Sequence, residues 1–434
     1  MVRARQNSGP AIAQITVCFA LCCAAVMAQA QTYTIIHTFT GGADGETPDS
    51  TLAIDAAGNL YGTTARGGNN NGNCDGGIGC GVVFKLKHAG SGWVLTPLYS
   101  FNGGTDGSAP GGVVFGPDGS LYGATGAGGV SCSSDTQYGC GTVFNLRPSP
   151  TACKSALCPW SETVLYRFTG GSNDGAEPNG SLVFDQAGNL YGTTFLGGLR
   201  NSFLCPGNWC GTVFELSPSN GNWTETVPYI FDPFGDAGQN PEAGLAITTA
   251  GSLYGTALEG GLNGGGTVFE LTPSSSGWVE NTLYSLPNGN DTGDYPESAP
   301  IFDPAGNLYA TTQFGGPNGG GTVFELSPSG GGWNYSLLYG LTGHVEQNGP
   351  LTGVTRDNAG NLYGTAFSLG NNAGLIFKLT PSNGGWTYTL LHQFDFNDGC
   401  EPVGGVTVDA HGNLFGTASA CGANGVGVVW EITP

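Results

Sequence analysis

Gly188-Asn189-Leu190-Tyr191-Gly192-Thr193-Thr194, followed after a glycine-rich stretch by Gly211-Thr212-Val213-Phe214-Glu215-Leu216, is a two-part phrase that returns seven times. Its tyrosine slot is filled by Tyr61, Tyr122, Tyr191, Tyr254, Tyr309, Tyr363 and finally Phe415. The second aromatic slot holds Phe84, Phe144, Phe214, Phe269, Phe324, Phe377 and Trp430. Strand-type content recurring at intervals of about 50 to 70 residues indicates a propeller or a solenoid rather than separate domains.

Around this phrase each repeat reads as four short strands. In the third, Leu182-Val183-Phe184 ends in the turn Asp185-Gln186-Ala187-Gly188-Asn189, and Leu190–Thr194 follows. The Gly211–Leu216 segment comes next, and a Ser-Pro-Ser-Asn-Gly-Asn turn leads into Trp223–Phe231. β-Branched and aromatic runs punctuated by Gly, Asn, Pro and Ser are strand and hairpin signals. No stretch after the first 30 residues has a helical period. Asp55, Asp185, Asp303, Asp357 and Asp409 share the turn slot, with Gly116 and Asp118 replacing it in the second repeat and Thr248 in the fourth. An aspartate there accepts backbone amides while Gly and Asn tolerate positive φ, so these carboxylates read as structural.

The chain ends decide between ring and open array. The last repeat stops after its third strand at Glu431-Ile432-Thr433-Pro434. Its absent fourth strand should resemble Thr387–Phe394, and Thr32-Tyr33-Thr34-Ile35-Ile36-His37-Thr38-Phe39 does. The expectation is an all-β, seven-bladed β-propeller of four-stranded blades, closed by the N-terminal strand completing the last blade. Its expected boundaries are 31–40 for the closing strand, then 41–102, 103–169, 170–232, 233–286, 287–340, 341–394 and 395–434 for blades 1 to 7.

Residues 1–30 read as a secretory signal peptide. Arg3 and Arg5 precede an apolar run from Ile15 to Val26 and the small-x-small exit Ala28-Gln29-Ala30, with cleavage before Gln31. The run is shorter than the roughly 20 residues of a membrane span. Ten cysteines remain, as near neighbours: Cys74 and Cys80, Cys132 and Cys140, Cys153 and Cys158, Cys205 and Cys210, and Cys400 and Cys421. An even count in an exported chain reads as five disulfides, and the Cys-x2-Cys spacing of a zinc site is missing. The expected localisation is secreted or periplasmic.

The mature chain keeps all 32 acidic residues against nine Lys and Arg, a net charge near −23. Such a surface repels nucleic acid and anionic lipid, so neither is an expected partner. A glycan or an extracellular protein is, and the protein is expected to be a monomer.

The candidate functional surface is a rim built by a second recurring element, Gly-Gly-x-Asp-Gly-x-x-Pro. Its acidic residue is Asp44, Asp106, Asp174, Asp236, Asp291, Glu346 or Asp398 around the ring, with Glu46, Glu177, Glu242, Glu297 and Glu401 as nearby helpers. The same residues also read as Asp-Gly turns that stop the outer strand. No cofactor is expected; calcium stays open as an ion, although no Asp-x-Asp-x-Asp-Gly loop exists. Trp93, Trp160, Trp223, Trp278, Trp333 and Trp386 begin the outermost strands and read as packing between blades. Trp209, beside Cys210, escapes the repeat and is the better ligand contact.

Catalytic signals are sparse. The histidines are His37, His88, His344, His392 and His411, and only His344 lies in a loop of the candidate face as a possible general base. There is no nucleophile elbow, zinc His pair or phosphate loop. The reading is a secreted binding scaffold that recognises a glycan or another surface partner through its loop-rich face. The alternative is an extracellular propeller enzyme, a polysaccharide lyase or hydrolase, or lactonase-like.

The consensus Gly-Asn-Leu-Tyr-Gly-Thr-Thr-x-x-Gly-Gly, then Gly-Thr-Val-Phe-Glu-Leu-Thr-Pro, resembles the GloVer tandem repeat of bacterial "choice-of-anchor" exported proteins. The resemblance spans nearly the whole mature chain and implies an exported surface or secreted protein. It brings no activity and no catalytic residues. No hydrophobic tail or basic cluster follows Trp430, so attachment through the C-terminus is not expected.

Overall fold

The computed structural model describes residues 31–70, 74, 77–132, 139–148, 160–200, 205, 209–289, 291–343, 349–367 and 373–434. The expected signal peptide, Cys153, Cys158, His344 and Glu346 lie outside them. The described residues contain strands and no α-helix, arranged as seven four-stranded antiparallel sheets. These are the blades of a β-propeller.

In the first blade β2 (Ala53–Ile54), β3 (Leu60–Thr64), β4 (Val82–Ala89) and β5 (Gly92–Ser100) pair in chain order. The last sheet takes its fourth strand from the other end of the chain. β1 (Thr32–Thr38) lies antiparallel to Val428–Thr433, with Thr32 opposite Thr433 and Ile35 opposite Trp430. The register there shifts between Ile35 and His37, and the corresponding strand pair shifts register in the other six blades too. Such bulges bend and twist the outermost strand.

The repeated phrase accounts for the core. All seven residues of the second aromatic slot are completely buried, and the tyrosine slot is at most 9% exposed. Tyr61 reaches the turn below it: its hydroxyl donates to Asp55 Oδ2 at 3.0 Å, while the Ala57 and Asn59 amides donate to Oδ1. The same cage surrounds Asp185, Asp303 and Asp357. These donors hold Asp55, Asp303 and Asp357 below the usual carboxylate range despite partial burial, by favouring the charged form.

Blades are joined at seams by three devices. The outer tryptophan of one blade packs on the tyrosine slot of the preceding one: Tyr61 with Trp160, Tyr122 with Trp223, Tyr191 with Trp278, Tyr309 with Trp386 and Phe415 with Trp93, at centroid distances of 5.7–6.3 Å. The first threonine of Gly-Thr-Thr crosses to the next blade: Thr193 Oγ1 donates to the Ala243 carbonyl at 2.7 Å, and Thr417 Oγ1 to the Ser50 carbonyl at 3.2 Å.

The third device joins the two sequence elements. The glycine opening Gly-Thr-Val-Phe has positive φ in every blade, from 79° at Gly321 to 106° at Gly374. The proline of the next blade is pressed against it, so a Cβ on Gly374 would stand 2.3 Å from Pro402 Cδ. Gly374→Ala is therefore expected to cost about 2 kcal/mol or more in urea unfolding, from strained backbone and overpacking together. Gly58→Ala, at φ 77° with open space around it, isolates the backbone component and should cost about 1 kcal/mol.

The outer ends of the seams differ around the ring. Between blades 4 and 5, 5 and 6, and 6 and 7 rings stack face to face: Tyr284 on Tyr335 at 4.9 Å, Tyr339 on Tyr388 at 4.4 Å and His392 on Tyr33 at 3.7 Å. Glu162, Glu225 and Glu280 take the place of the second ring in blades 2, 3 and 4. Disulfides Cys74–Cys80, Cys132–Cys140 and Cys205–Cys210 clip the glycine-rich loops of blades 1 to 3, and Cys400–Cys421 ties two loops of blade 7.

Candidate functional site

Each blade enters the ring through its proline, and the residue before that proline has a left-handed backbone in six blades, Gly349 of blade 6 being the exception. Thr47, Ala109, Glu177, Asn240, Tyr295 and Glu401 have φ between 52° and 57°. Their amides donate to the preceding blade, as from Glu177 to the Cys140 carbonyl at 3.0 Å and from Asn240 to the Cys210 carbonyl at 2.8 Å. Their carbonyls accept from their own blade, as from Phe195 to Glu177 and from Ser419 to Glu401. The chain turns here towards the axis, and the residue after the proline lines the centre of the ring in all seven blades.

Those axial positions are Asp49, Gly111, Asn179, Glu242, Glu297, Leu351 and Val403, and all seven border one cavity of about 570 Å³. Backbone fills the space between them. A Cβ on Gly180 would stand 2.6 Å from the Ala243 carbonyl carbon, and one on Gly404 would stand 2.7 Å from the Ser50 carbonyl oxygen. Ser50, Ser181, Ser298, Thr352 and Ser419 add hydroxyls.

The carboxyls are held far from their solution behaviour. Burial pushes Glu297 up to about 8, helped by the neighbouring Glu242 charge. Glu242 is also raised by burial, and by Glu177, against a hydrogen bond from Asn179. Asp49 is pushed up to about 7 by burial, opposed by its backbone hydrogen bond and by Arg66. Its Oδ1 is buried without a hydrogen-bond partner among the described residues. No Lys, Arg or His is among the described residues of the lining.

The rim carboxylates lie elsewhere and are mostly occupied by their own turns. Asp44 Oδ2 accepts from the Thr40 amide and faces His37 Nε2 at 3.2 Å. Asp106 accepts from the Asn102 amide and the Tyr99 hydroxyl, Asp174 from the Thr169 amide, and Asp398 from the Asp395 amide with His392 Nε2 at 2.8 Å. Asp236 and Asp291 are exposed. Trp209 is 6% exposed and shares a buried cluster with Ala176 and Leu196. Of the helper acids, Glu242, Glu297 and Glu401 reach the cavity; Asp49 had no signal in the Asp-Gly element and is found only by its place after Pro48. Among the described residues no group of three His, Cys, Asp or Glu is placed to hold a metal ion, and no helix is long and apolar enough to cross a membrane.

Solved structures similar to this chain are distant from it in sequence. The extracellular domain of BT4673 from B. thetaiotaomicron is 10% identical, with a TM-score of 0.52 over 92% of this chain and 40% of that one. PorZ, a surface component of the type-IX secretion system of Porphyromonas gingivalis, is 14% identical, with a TM-score of 0.47 over 88% of this chain and 46% of that one. A Bacteroides uniformis protein named for 6-phosphogluconolactonase activity is 14% identical, with a TM-score of 0.46 over 79% and 84%. No curated protein matches the chain. The profile of the Gloeobacter/Verrucomicrobia repeat matches residues 130–365, which contain both halves of the repeated phrase in register. By that match the chain is a member of the Gloeobacter/Verrucomicrobia repeat family, built as a seven-bladed β-propeller.

Proposed function

We propose that this protein is an exported binding scaffold that recognises a glycan in the cavity on the ring axis. The carrying observation is the make-up of that cavity: hydroxyls, carbonyls, one amide and protonatable carboxyls drawn from all seven blades. Its volume of about 570 Å³ falls within the usual range for organic ligands. Four disulfides support export, because such bonds persist in oxidising compartments. A glycan-array screen of the mature protein, followed by calorimetry on the hits, tests the reading. Hits are expected to lose about tenfold in affinity in Asn179→Ala, which removes the one axial amide. Absence of hits, or hits indifferent to that substitution, would defeat it.

One observation favours the hydrolase alternative. The Glu297 carboxyl is pushed up to about 8 by burial and the neighbouring Glu242, the direction in which a general acid is prepared beside a second carboxyl. Release of new reducing ends from array hits, abolished in Glu297→Gln, would select that reading over binding alone.

A further inference from the structure

The cavity is chemically lopsided. Blades 3, 4 and 5 place Asn179, Glu242 and Glu297 at the axial position, while blades 6 and 7 place Leu351 and Val403 there, with Phe367 also on the wall. Glu242 and Glu297 sit close enough for one charge to oppose the other. No cationic side chain is among the described residues of the lining. A pair of neighbouring carboxyls on a wall without a cation of its own is suited to an external one.

A divalent metal fits poorly. Calcium takes six to eight oxygens, and among the described residues no three His, Cys, Asp or Glu side chains converge for a metal ion. An ammonium group needs only three acceptors and is satisfied by two carboxyls and a hydroxyl or carbonyl. The hydroxyl-bearing wall from Ser181, Ser298 and Thr352 suits a polyol, and the Leu351–Val403 arc suits the C–H face of a sugar ring.

We propose that the ligand is an amino sugar, its ammonium held between Glu242 and Glu297 and its ring against Leu351 and Val403. This rests on the glycan reading above and names the sugar class. Binding of the cation stabilises the charged carboxyls that burial disfavours, so it is accompanied by proton release.

Titration calorimetry of the mature protein with a glucosamine hexamer, its fully N-acetylated counterpart and cellohexaose tests this. The free amine is expected to bind about tenfold tighter than the other two, with proton release measured in buffers of different ionisation heat. In Glu242→Gln/Glu297→Gln the preference should fall to near unity, and a melting temperature no lower than the parent's shows that the variant is folded. Equal affinity for all three sugars overturns the amine assignment and leaves the glycan reading standing. No binding by any sugar overturns both. A lysine hexamer binding as tightly as the amino sugar overturns the sugar part and identifies a basic peptide instead.

Discussion

Removal of Thr32–Phe39 from the mature chain is expected to abolish cooperative folding at ordinary temperatures. This segment carries β1, among the described residues the only strand that crosses between the two ends of the sequence. Without it Val428–Thr433 becomes an open edge and the fully buried Trp430 loses the strand opposite it. Phe39, itself fully buried against Phe84, is lost as well, and deletion of one such ring alone costs about 3–5 kcal/mol. Together with the lost ladder this equals the whole stability of many domains, about 5–15 kcal/mol. Circular dichroism should show a broad transition, and exposed apolar surface should bind a reporter dye. A synthetic Thr32–Phe39 peptide added in excess is expected to restore a sharp transition. A truncated chain that melts like the parent would disprove closure by this strand.

The second large effect is on pH. Burial pushes Asp49, Glu162 and Glu225 up to about 7 and Glu297 to about 8, from ordinary values near 4. A carboxyl raised on folding binds protons more tightly in the folded chain. Its contribution is therefore fully present below its unfolded value and is lost as pH rises through 7 and 8. For the enclosed Asp49 and Glu297 the loss is on the order of 3 kcal/mol each. It is smaller for Glu162 and Glu225, which water partly reaches. Asp55, Asp118, Asp303 and Asp357 act in the opposite sense: held low by their turn and ion-pair partners, they give stability above the ordinary aspartate value that disappears on further acidification. The melting temperature is thus expected to peak near pH 5 and to fall by several degrees towards pH 9. Asp49→Asn/Glu297→Gln should flatten the alkaline limb; an unchanged limb would show that these groups ionise freely.

The fold was legible because its core residues lie in strands and recur. Tyr61 and Phe84 with their six counterparts each mark a layer, and the likeness of Thr32–Phe39 to Thr387–Phe394 gave the closure that the β1 pairing shows. The six outer tryptophans likewise follow the pattern, and at five of the seams the ring contacts join neighbouring blades. The axial cavity was far less legible. Its lining comes from segments such as 49–51 and 242–244, which precede two-residue strands and have no side-chain period of their own. The Asp-Gly element drew attention to Asp44 and Asp398, whose carboxylates serve their own turns, while the chemistry of the axis depends on the position after each proline. That position holds Asp, Gly, Asn, Glu, Glu, Leu and Val, so repetition could not flag it.

The left-handed residue ahead of the proline in six blades has a consequence for diversification. Its role in the seam is carried by its amide and carbonyl; Asn240 adds side-chain hydrogen bonds to the Phe195 and Trp209 carbonyls, but Thr47, Ala109 and Glu401, which border the cavity, perform it with unlike side chains. Backbone duty and side-chain identity are thereby uncoupled at the threshold of the channel. A combinatorial library randomised at these three sites would change what the entrance selects while leaving the scaffold intact, one wedge at a time.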